Sequence, residues 1–295
     1  MQAEKKGLWQ VHAAVLLMGF AGLFPKWIPL PAPVLTWGRV FSSALILALV
    51  LAVQRQRFFP KSRKDCLWLC AAGAVLALHW STFQGSIQVS TVAVGTLTFS
   101  TFPIFVTFLE PVLFHERLRP SSVVTAAVMF CGVLLIVPRF ELGDRTVQGV
   151  LMGMVGSLTY AVLSLINRRM GRTCSGTQTA FCEQAVAAVL LLPVLIFDRP
   201  QVTAQEVGLI LLFGSVFTAL AHTLFIVGIR FVRVQTAGVI SSLESVYGII
   251  LAALLLGEWP TSREVMGAVI ILGAAVASTL LAARPHKHPA QSADS

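Results

Sequence analysis

The sequence predicts an all-α polytopic membrane protein. Its ten transmembrane helices are expected to form two inverted five-helix repeats, with the N- and C-termini both in the cytosol. Three observations carry this prediction: an apolar composition, apolar runs of helical length, and a local design that recurs about half a chain later.

The composition excludes an ordinary soluble domain. The 295-residue chain has a mean hydropathy of +0.80, with 56% hydrophobic and only 12% charged residues. Soluble domains carry about a quarter charged residues, so this chain needs lipid as its solvent. In lipid only helices and closed barrels satisfy their backbones. Barrel strands alternate apolar and polar residues, whereas the apolar runs here are continuous over about 20 residues, which indicates helices.

Ten apolar runs are candidate spans. The first follows Lys5 and Lys6 and lacks a small-residue cleavage site, which favours a retained helix over a signal peptide. Residues 1–142 and 143–284 hold five spans each, and the polar tail 285–295 is expected to be disordered. The spans lie at 8–24, 34–53, 66–87, 92–113, 121–138, 147–166, 176–197, 206–228, 234–256 and 263–283.

The basic residues set the orientation. With a cytosolic N-terminus, 16 of the 22 Lys and Arg fall in cytosolic segments and six remain at the outer side or nearby span ends. This asymmetry explains the net charge of +9 without a nucleic-acid partner. The five cysteines are an odd number without metal-site spacing, which favours a role as small packing residues over a metal site.

Two segments share one design. The run from Thr91 to Pro120 and the run from Val234 to Pro260 are both apolar, carry hydroxyl residues inside, and end at an acidic residue and a proline. The acidic residues, Glu116 and Glu258, are 142 residues apart. Because five helices is an odd number, the second unit must be inserted upside down relative to the first. Inverted repeats are typical of secondary transporters, with the substrate site near the midplane.

These segments also carry a family resemblance. Leu-Glu-Pro-Val at Leu109–Val112 is followed by His-Glu-Arg-Leu at 115–118, and Leu-Glu-Ser-Val at Leu243–Val246 by Leu-Gly-Glu-Trp at Leu256–Trp259. With these motifs the chain resembles the EamA-type ten-helix members of the drug/metabolite transporter superfamily over about residues 8 to 283. The resemblance implies export or exchange of small metabolites, such as amino acids and their relatives, or of toxic compounds.

The sequence departs from the family pattern at the helix ends. His115 stands where the family usually has Gly, Ser245 where Pro is common, and Trp259-Pro260 where Arg-Leu is expected. Lys26 and Arg39 fit the family pattern. The departures affect how the helices end.

Polar side chains inside a membrane are costly and therefore mark functional candidates. Glu244, in the middle of span nine, would bind a substrate amine or carry a proton; the alternative is a protonated Glu bonded to a neighbouring helix. His79, Trp80 and Phe83 would form a cavity wall, with a titratable imidazole; the alternative is interhelical packing with one hydrogen bond. His222 occupies the equivalent span of the second half.

Span four offers further candidates. Pro103 removes a backbone hydrogen bond and exposes a carbonyl. Thr98 and Thr101 would line the cavity or, alternatively, bond back to their own helix. Arg39 is a candidate for binding a carboxylate, and Tyr160 for a polar edge of the cavity.

Other polar residues are assigned to structure. Glu116 and Glu258, at helix ends, are predicted to have structural and gating roles rather than substrate contact. Lys26 is interpreted as snorkelling to the headgroups, and Glu110 as pairing with basic residues at the cytosolic end. Glu183, in span seven, is an intramembrane polar residue for which the sequence names no partner.

The function predicted is a secondary transporter, an exporter or exchanger that works by alternating access around a central cavity. An intramembrane enzyme is the alternative, but the sequence has no His-Glu-x-x-His, Gly-x-Ser-x-Gly or phosphate-loop motif. A sensor or scaffold would need a soluble output domain, and short loops disfavour a channel.

The partners expected are a small-molecule substrate and the lipid bilayer of a bacterial inner membrane. The protein is expected to be a monomer or a homodimer. Proton coupling is a hypothesis. No cofactor, metal, catalytic residue or nucleic acid is expected.

Overall fold

The computed structural model describes residues 2–114, 118, 120–137, 141, 143–229, 231–232 and 234–282, and over these residues it is helical, without strands. In chain order the helices are α1 (Gln2–Ala21), α2 (Phe24–Trp27), α3 (Ala32–Val53), α4 (Arg63–Val89), α5 (Val92–Phe99), α6 (Phe102–Phe114), α7 (Pro120–Ile136), α8 (Arg145–Met170), α9 (Gly176–Asp198), α10 (Ala204–Gly214), α11 (Ala221–Gly228), α12 (Val234–Ser241), α13 (Leu243–Leu256) and α14 (Ser262–Ala282).

The prediction of an all-helical membrane protein is confirmed. Nine helical segments of the described chain are long and apolar enough to cross a membrane, and α7 is a shorter apolar helix of 17 residues. Large apolar side chains cover the outer surface; Phe197, Trp9 and Leu254 are each more than two-thirds exposed. Such a surface matches a lipid solvent, because it would be costly in water.

Helix starts follow local capping chemistry. Asp144 accepts the Thr146 N–H at 2.7 Å and begins α8. Thr203 and Glu206 form a capping box at the start of α10. These side chains satisfy the first N–H groups of each helix, which have no partner within the helix.

Two predicted spans are each divided in the middle. Span four becomes α5 and α6, with a break at Ser100 and Thr101, and span nine becomes α12 and α13, with a break at Ser242. The helices before the breaks, α5 and α12, begin 142 residues apart and end 142 residues apart. The recurrence seen in the sequence therefore extends to the position of the break.

A third span is continuous but irregular. Between α10 and α11 the chain makes a π-helical turn at Ser215–Leu220. The Thr218 hydroxyl donates to the Phe213 carbonyl, five residues earlier, at 2.9 Å. Turns of this type are rare in proteins, and a large share of them lie at functional sites.

The helices pack into one bundle. α4 contacts both α8 and α9, α3 contacts α9, and α14 contacts α7, while α1 lies against α11 and α13. One apolar cluster joins α3, α4, α8 and α9, and another joins α5, α6, α7, α8 and α14.

Glycine permits a close crossing of α1 and α13. A Cβ on Gly19 of α1 would lie 2.8 Å from the Glu244 carbonyl oxygen and 2.9 Å from Tyr247 Cβ of α13. By contrast, a Cβ on Gly273 of α14 would meet nothing within 4 Å. The backbone of α1 therefore fixes the position of the helix turn that carries Glu244.

We expect Gly19→Ala to destabilise the protein by about 1–3 kcal/mol, because the methyl group forces α1 and α13 apart. Intrinsic helix propensity alone would favour Ala over Gly by about 1 kcal/mol. The matched control, Gly273→Ala, is expected to be neutral or slightly stabilising. Thermal unfolding in detergent micelles measures both, and equal effects of the two substitutions would contradict the close crossing.

Candidate functional site

The two helix breaks lie side by side. Ser100, at the end of α5, and Ser245, in the first turn of α13, have hydroxyl oxygens 2.7 Å apart. The Ser245 hydroxyl also donates to the Thr96 carbonyl at 3.2 Å. The broken ends of both helices therefore meet through side-chain hydroxyls, in the interior of the bundle.

Pro103 explains the first break. It stands at the start of α6, where proline is tolerated, and it has no N–H for the Phe99 carbonyl. That carbonyl accepts a hydrogen bond from the Ser157 hydroxyl of α8 at 3.1 Å instead. The freed carbonyl is thus satisfied by a neighbouring helix.

The hydroxyls of α5 and its break largely bond locally. Thr98 is fully buried and donates to the Val94 carbonyl at 2.6 Å. Thr101, also fully buried, donates to the Thr98 carbonyl at 2.6 Å and lies 3.2 Å from the Ser157 hydroxyl. Both residues therefore satisfy backbone carbonyls beside the break.

An aromatic cluster covers the break at Ser100. It consists of His79, Phe83, Phe99, Phe102 and Tyr160, with ring centroids between 4.9 and 6.1 Å apart along its contacts. Phe99 and Phe102 flank the break itself and come from α5 and α6, while the other three rings come from α4 and α8. Aromatic pairs in this distance range attract each other.

His79 is the buried member of this cluster. Its side chain is 2% exposed, and Nδ1 lies 2.8 Å from the Gly156 carbonyl oxygen of α8. Because a carbonyl only accepts, Nδ1 carries the proton and Nε2 is free to act as an acceptor in the neutral ring.

Arg39 is buried inside the bundle. Its guanidinium carbon is 3.8 Å from the centroid of the Trp80 ring and 4.5 Å from that of Phe213. Its Nε donates to Thr218 of the π-helical turn at 2.8 Å. Aromatic faces stabilise a desolvated cation, which is why the arginine is tolerated away from headgroups. The His222 ring lies next to Trp80, at 6.3 Å between ring centroids and tilted by 47°.

Glu244 begins the first turn of α13, directly after the break at Ser242. It is half-buried, and its charge lies within interaction range of Arg39 and of Tyr160. A helix N-terminus stabilises a negative charge. The site therefore presents a carboxyl group, a guanidinium group and an aromatic cluster around the meeting point of two broken helices.

Glu258 lies at the far end of α13, away from this centre. Its Oε1 is 3.0 Å from Lys26 Nζ, and its Oε2 accepts the Val92 N–H at 3.0 Å. Lys26 also donates to the Ser90 carbonyl at 2.6 Å. The snorkelling interpretation of Lys26 is therefore wrong, because its ammonium binds protein groups that tie α2 to the start of α5.

Glu110 of α6 forms an ion pair with Arg168 of α8, which confirms the predicted pairing with a basic residue. Glu116, the other acidic residue of the repeated design, lies outside the described residues.

Sequence reasoning missed several residues of the centre: Phe99, Phe102, Phe213 and Thr218. Phe99 and Phe102 had a usable local signal, because they flank the Ser-Thr pair that precedes Pro103. Phe213 and Thr218 had none, since their contact with Arg39 joins residues more than 170 positions apart.

A helical bundle of this kind, with interrupted spans around buried charged and aromatic groups, is the architecture of a membrane transporter. The chain belongs to the EamA-like transporter family, whose sequence model matches it twice, at residues 5–137 and 147–280. It is a membrane transporter, as predicted, and an integral protein of the bacterial inner membrane.

Several known proteins are similar to the chain. The uncharacterized transporter YwfM of Bacillus subtilis is 25% identical over 274 residues, 91% of this chain and 92% of its own length. The aromatic amino acid exporter YddG of Ancylobacter novellus is 22% identical over 222 residues, 74% and 77% of the two chains. The uncharacterized inner membrane transporter YicL of Salmonella typhimurium is 23% identical over 299 residues, 95% and 97%. A solved crystal structure with 18% identity shares the fold, with a TM-score of 0.65 over 94% of this chain and 98% of the other.

We expect Arg39→Lys to destabilise the protein by about 1–3 kcal/mol, because an ammonium group cannot stack flat between two rings or reproduce the Nε bond to Thr218. Thr218→Val removes the same bond from the other side. A double-mutant cycle by thermal unfolding should therefore show coupling of about 0.5–3 kcal/mol. Arg57→Lys, at an exposed loop position, is the control with no expected effect. Strictly additive effects of the first two substitutions would exclude the interaction.

Proposed function

We propose that the chain is a secondary exporter or exchanger of small organic metabolites, with amino acids and related compounds as the substrate class. The observation that carries the proposal is the contact between Ser100, at the first helix break, and Ser245, in the helix turn that follows the second break, beside groups of opposite charge, Arg39 and Glu244. Non-helical backbone at membrane depth is tolerated where it is buried in protein or lines a cavity, and in transporters such breaks form the substrate site.

The chemistry of the centre favours a zwitterion with an apolar or aromatic side chain. Arg39 offers a cation for a carboxylate, and Glu244, at a helix start, offers an anion for an amine. Phe83, Phe102 and Tyr160, all half-buried, offer ring surface for the side chain. The similarity to a protein named as an aromatic amino acid exporter supports this class.

The architecture we propose is two inverted five-helix repeats, residues 1–142 and 143–284, with both termini in the cytosol. The shorter apolar helix α7 is the fifth membrane helix. It has 17 residues, the lower limit of about 17–25 for a span. The shared 142-residue offset of α5 and α12 and the two separate family matches support the repeats.

The ion pairs at opposite ends of the bundle supply a gating device. Lys26 and Arg168 are 142 residues apart, so the Lys26–Glu258 and Arg168–Glu110 pairs draw their cations from equivalent positions. In an inverted repeat, equivalent positions lie on opposite faces of the membrane. Alternating access then consists of opening one pair while the other stays closed. The energy source we propose is a proton gradient, with the proton binding at Glu244.

The substrate class is tested by counterflow in proteoliposomes. Vesicles loaded with one unlabelled amino acid from a panel are expected to accumulate the same radiolabelled compound, with aromatic amino acids giving the largest signal. Glu244→Gln should reduce this signal because it removes the anion that faces the amine. Glu4→Gln, an exposed carboxylate on α1, is the matched control. Counterflow of no amino acid or related metabolite, with protein shown to be folded, would exclude the class.

The gating role is tested by charge reversal. Lys26→Glu and Glu258→Lys should each impair transport, because like charges would then face each other at the start of α5. The double reversal should restore transport only in part, since a lysine at position 258 cannot accept the Val92 N–H. Transport rates of the three variants at matched protein levels measure this. If the double variant is no better than the worse single variant, the pair does not act through its charges.

A further inference from the structure

A second carboxyl group lies inside the bundle, apart from the centre. Glu183 of α9 is 5% exposed, and the helices packed against α9 include α3 and α4. It lies within the first third of α9, about 10 Å from the Gly176 end at 1.5 Å per residue. Its position is therefore about two turns inside α9.

Glu183 forms no ion pair within the described part of the chain. Among the residues that the structure describes, ion pairs join Lys26 to Glu258 and Arg168 to Glu110, and neither includes Glu183. Burying an unpaired carboxylate is far more costly than burying the neutral acid. An intramembrane carboxyl group that is not paired with a base is a default candidate for carrying a proton.

The surroundings of Glu183 suit both protonation states. Asn167 of α8 hydrogen-bonds to the carboxyl group, while Glu183 Oε1 and Asn167 Oδ1 are both buried without a partner among the described residues. An Asn side chain has donors and an acceptor. Its NH₂ group can donate to a carboxylate, and after rotation its oxygen can accept from a carboxylic acid. Glu183 can therefore lose and regain a proton while Asn167 provides a hydrogen-bond partner in both protonation states.

Glu183 is also connected to the centre. Tyr160 of the aromatic cluster lies within electrostatic range of both Glu183 and Glu244. Cys182 is adjacent to Glu183 on α9, and the thiols of Cys174, Cys66 and Cys70 lie within electrostatic range of Cys182. The one charged residue of α3 is Arg39, which is stacked between Trp80 and Phe213.

We propose that Glu183 is a second protonation site, which releases the proton that drives exchange. The O–H bond of its carboxylic acid breaks, the proton passes to water, and the carboxylate left behind accepts the Asn167 N–H until it is protonated again. The proposal rests on the proposed transport function, and it adds a residue outside the substrate site.

Infrared difference spectroscopy of the purified protein tests the site without any substrate. A carboxylic-acid C=O band that titrates with pH is expected in the wild type, absent in Glu183→Gln and displaced in Asn167→Leu. Glu4→Gln should leave the band unchanged. If no such band is lost in Glu183→Gln, the site is not protonated and the proposal is overturned. If Glu183→Gln does not fold, Glu183→Asp replaces it in the experiment. Because this variant keeps a carboxylic acid, its C=O band should shift in frequency and remain present.

The coupling role is tested with radiolabelled L-phenylalanine in proteoliposomes. Glu183→Gln is expected to keep counterflow, which needs no gradient, and to lose accumulation driven by a pH gradient. Retained accumulation, or equal loss of both activities, would overturn the coupling role. A titrating band together with no counterflow of any amino acid would remove the proposed substrate class and leave the protonation site standing.

Discussion

The structure depends on one constraint: within lipid, each backbone N–H and C=O group must find its partner inside the protein. The break at Ser100 disturbs the helical ladder. Ser157 donates to the Phe99 carbonyl, which Pro103 leaves without its helical donor. Ser245 adds a bond to the Thr96 carbonyl, which also accepts the Ser100 N–H. Because these serines come from α8 and α13, those two helices stabilise the break. The polar residues of the centre therefore have a structural task before any functional one.

The buried ionisable groups are accommodated in three different ways. Arg39 is held between two aromatic faces and bonded to a π-helical turn. Glu244 sits at a helix start, within range of that cation. Glu183 has the Asn167 amide as its neighbour and no ion pair among the residues that the structure describes. Arg39 is thus fixed by its packing, whereas the two carboxyl groups keep freedom to exchange a partner or a proton. This difference favours the carboxyl groups as the changing elements of a transport cycle.

Much of the fold follows from the sequence because it depends on composition and local chemistry. Local sequence is enough to recognise the apolar runs and helix caps such as Asp144. The 142-residue recurrence follows from residue spacing alone. Pro103 signalled a disturbed hydrogen bond in span four. The division of span nine had no such signal, since Ser and Thr also occur in unbroken helices, where they bond back to their own carbonyls. The environments of Lys26 and Arg39 depend on partners 232 and 179 positions away. Only the packed bundle distinguishes a snorkelling or edge cation from a buried one.

The two breaks share a backbone design but differ in side chains. Ser100 and Ser242, 142 residues apart, occupy the two breaks. Two positions further on, Phe102 corresponds to Glu244, so the first repeat contributes a ring and the second a carboxyl group. A perfectly symmetric pair would supply two acids or two rings, and two rings would offer no charge to an amine. In the proposed transport function, divergence at this pair of positions supplies one carboxyl group and one ring for a substrate with one charged and one apolar end.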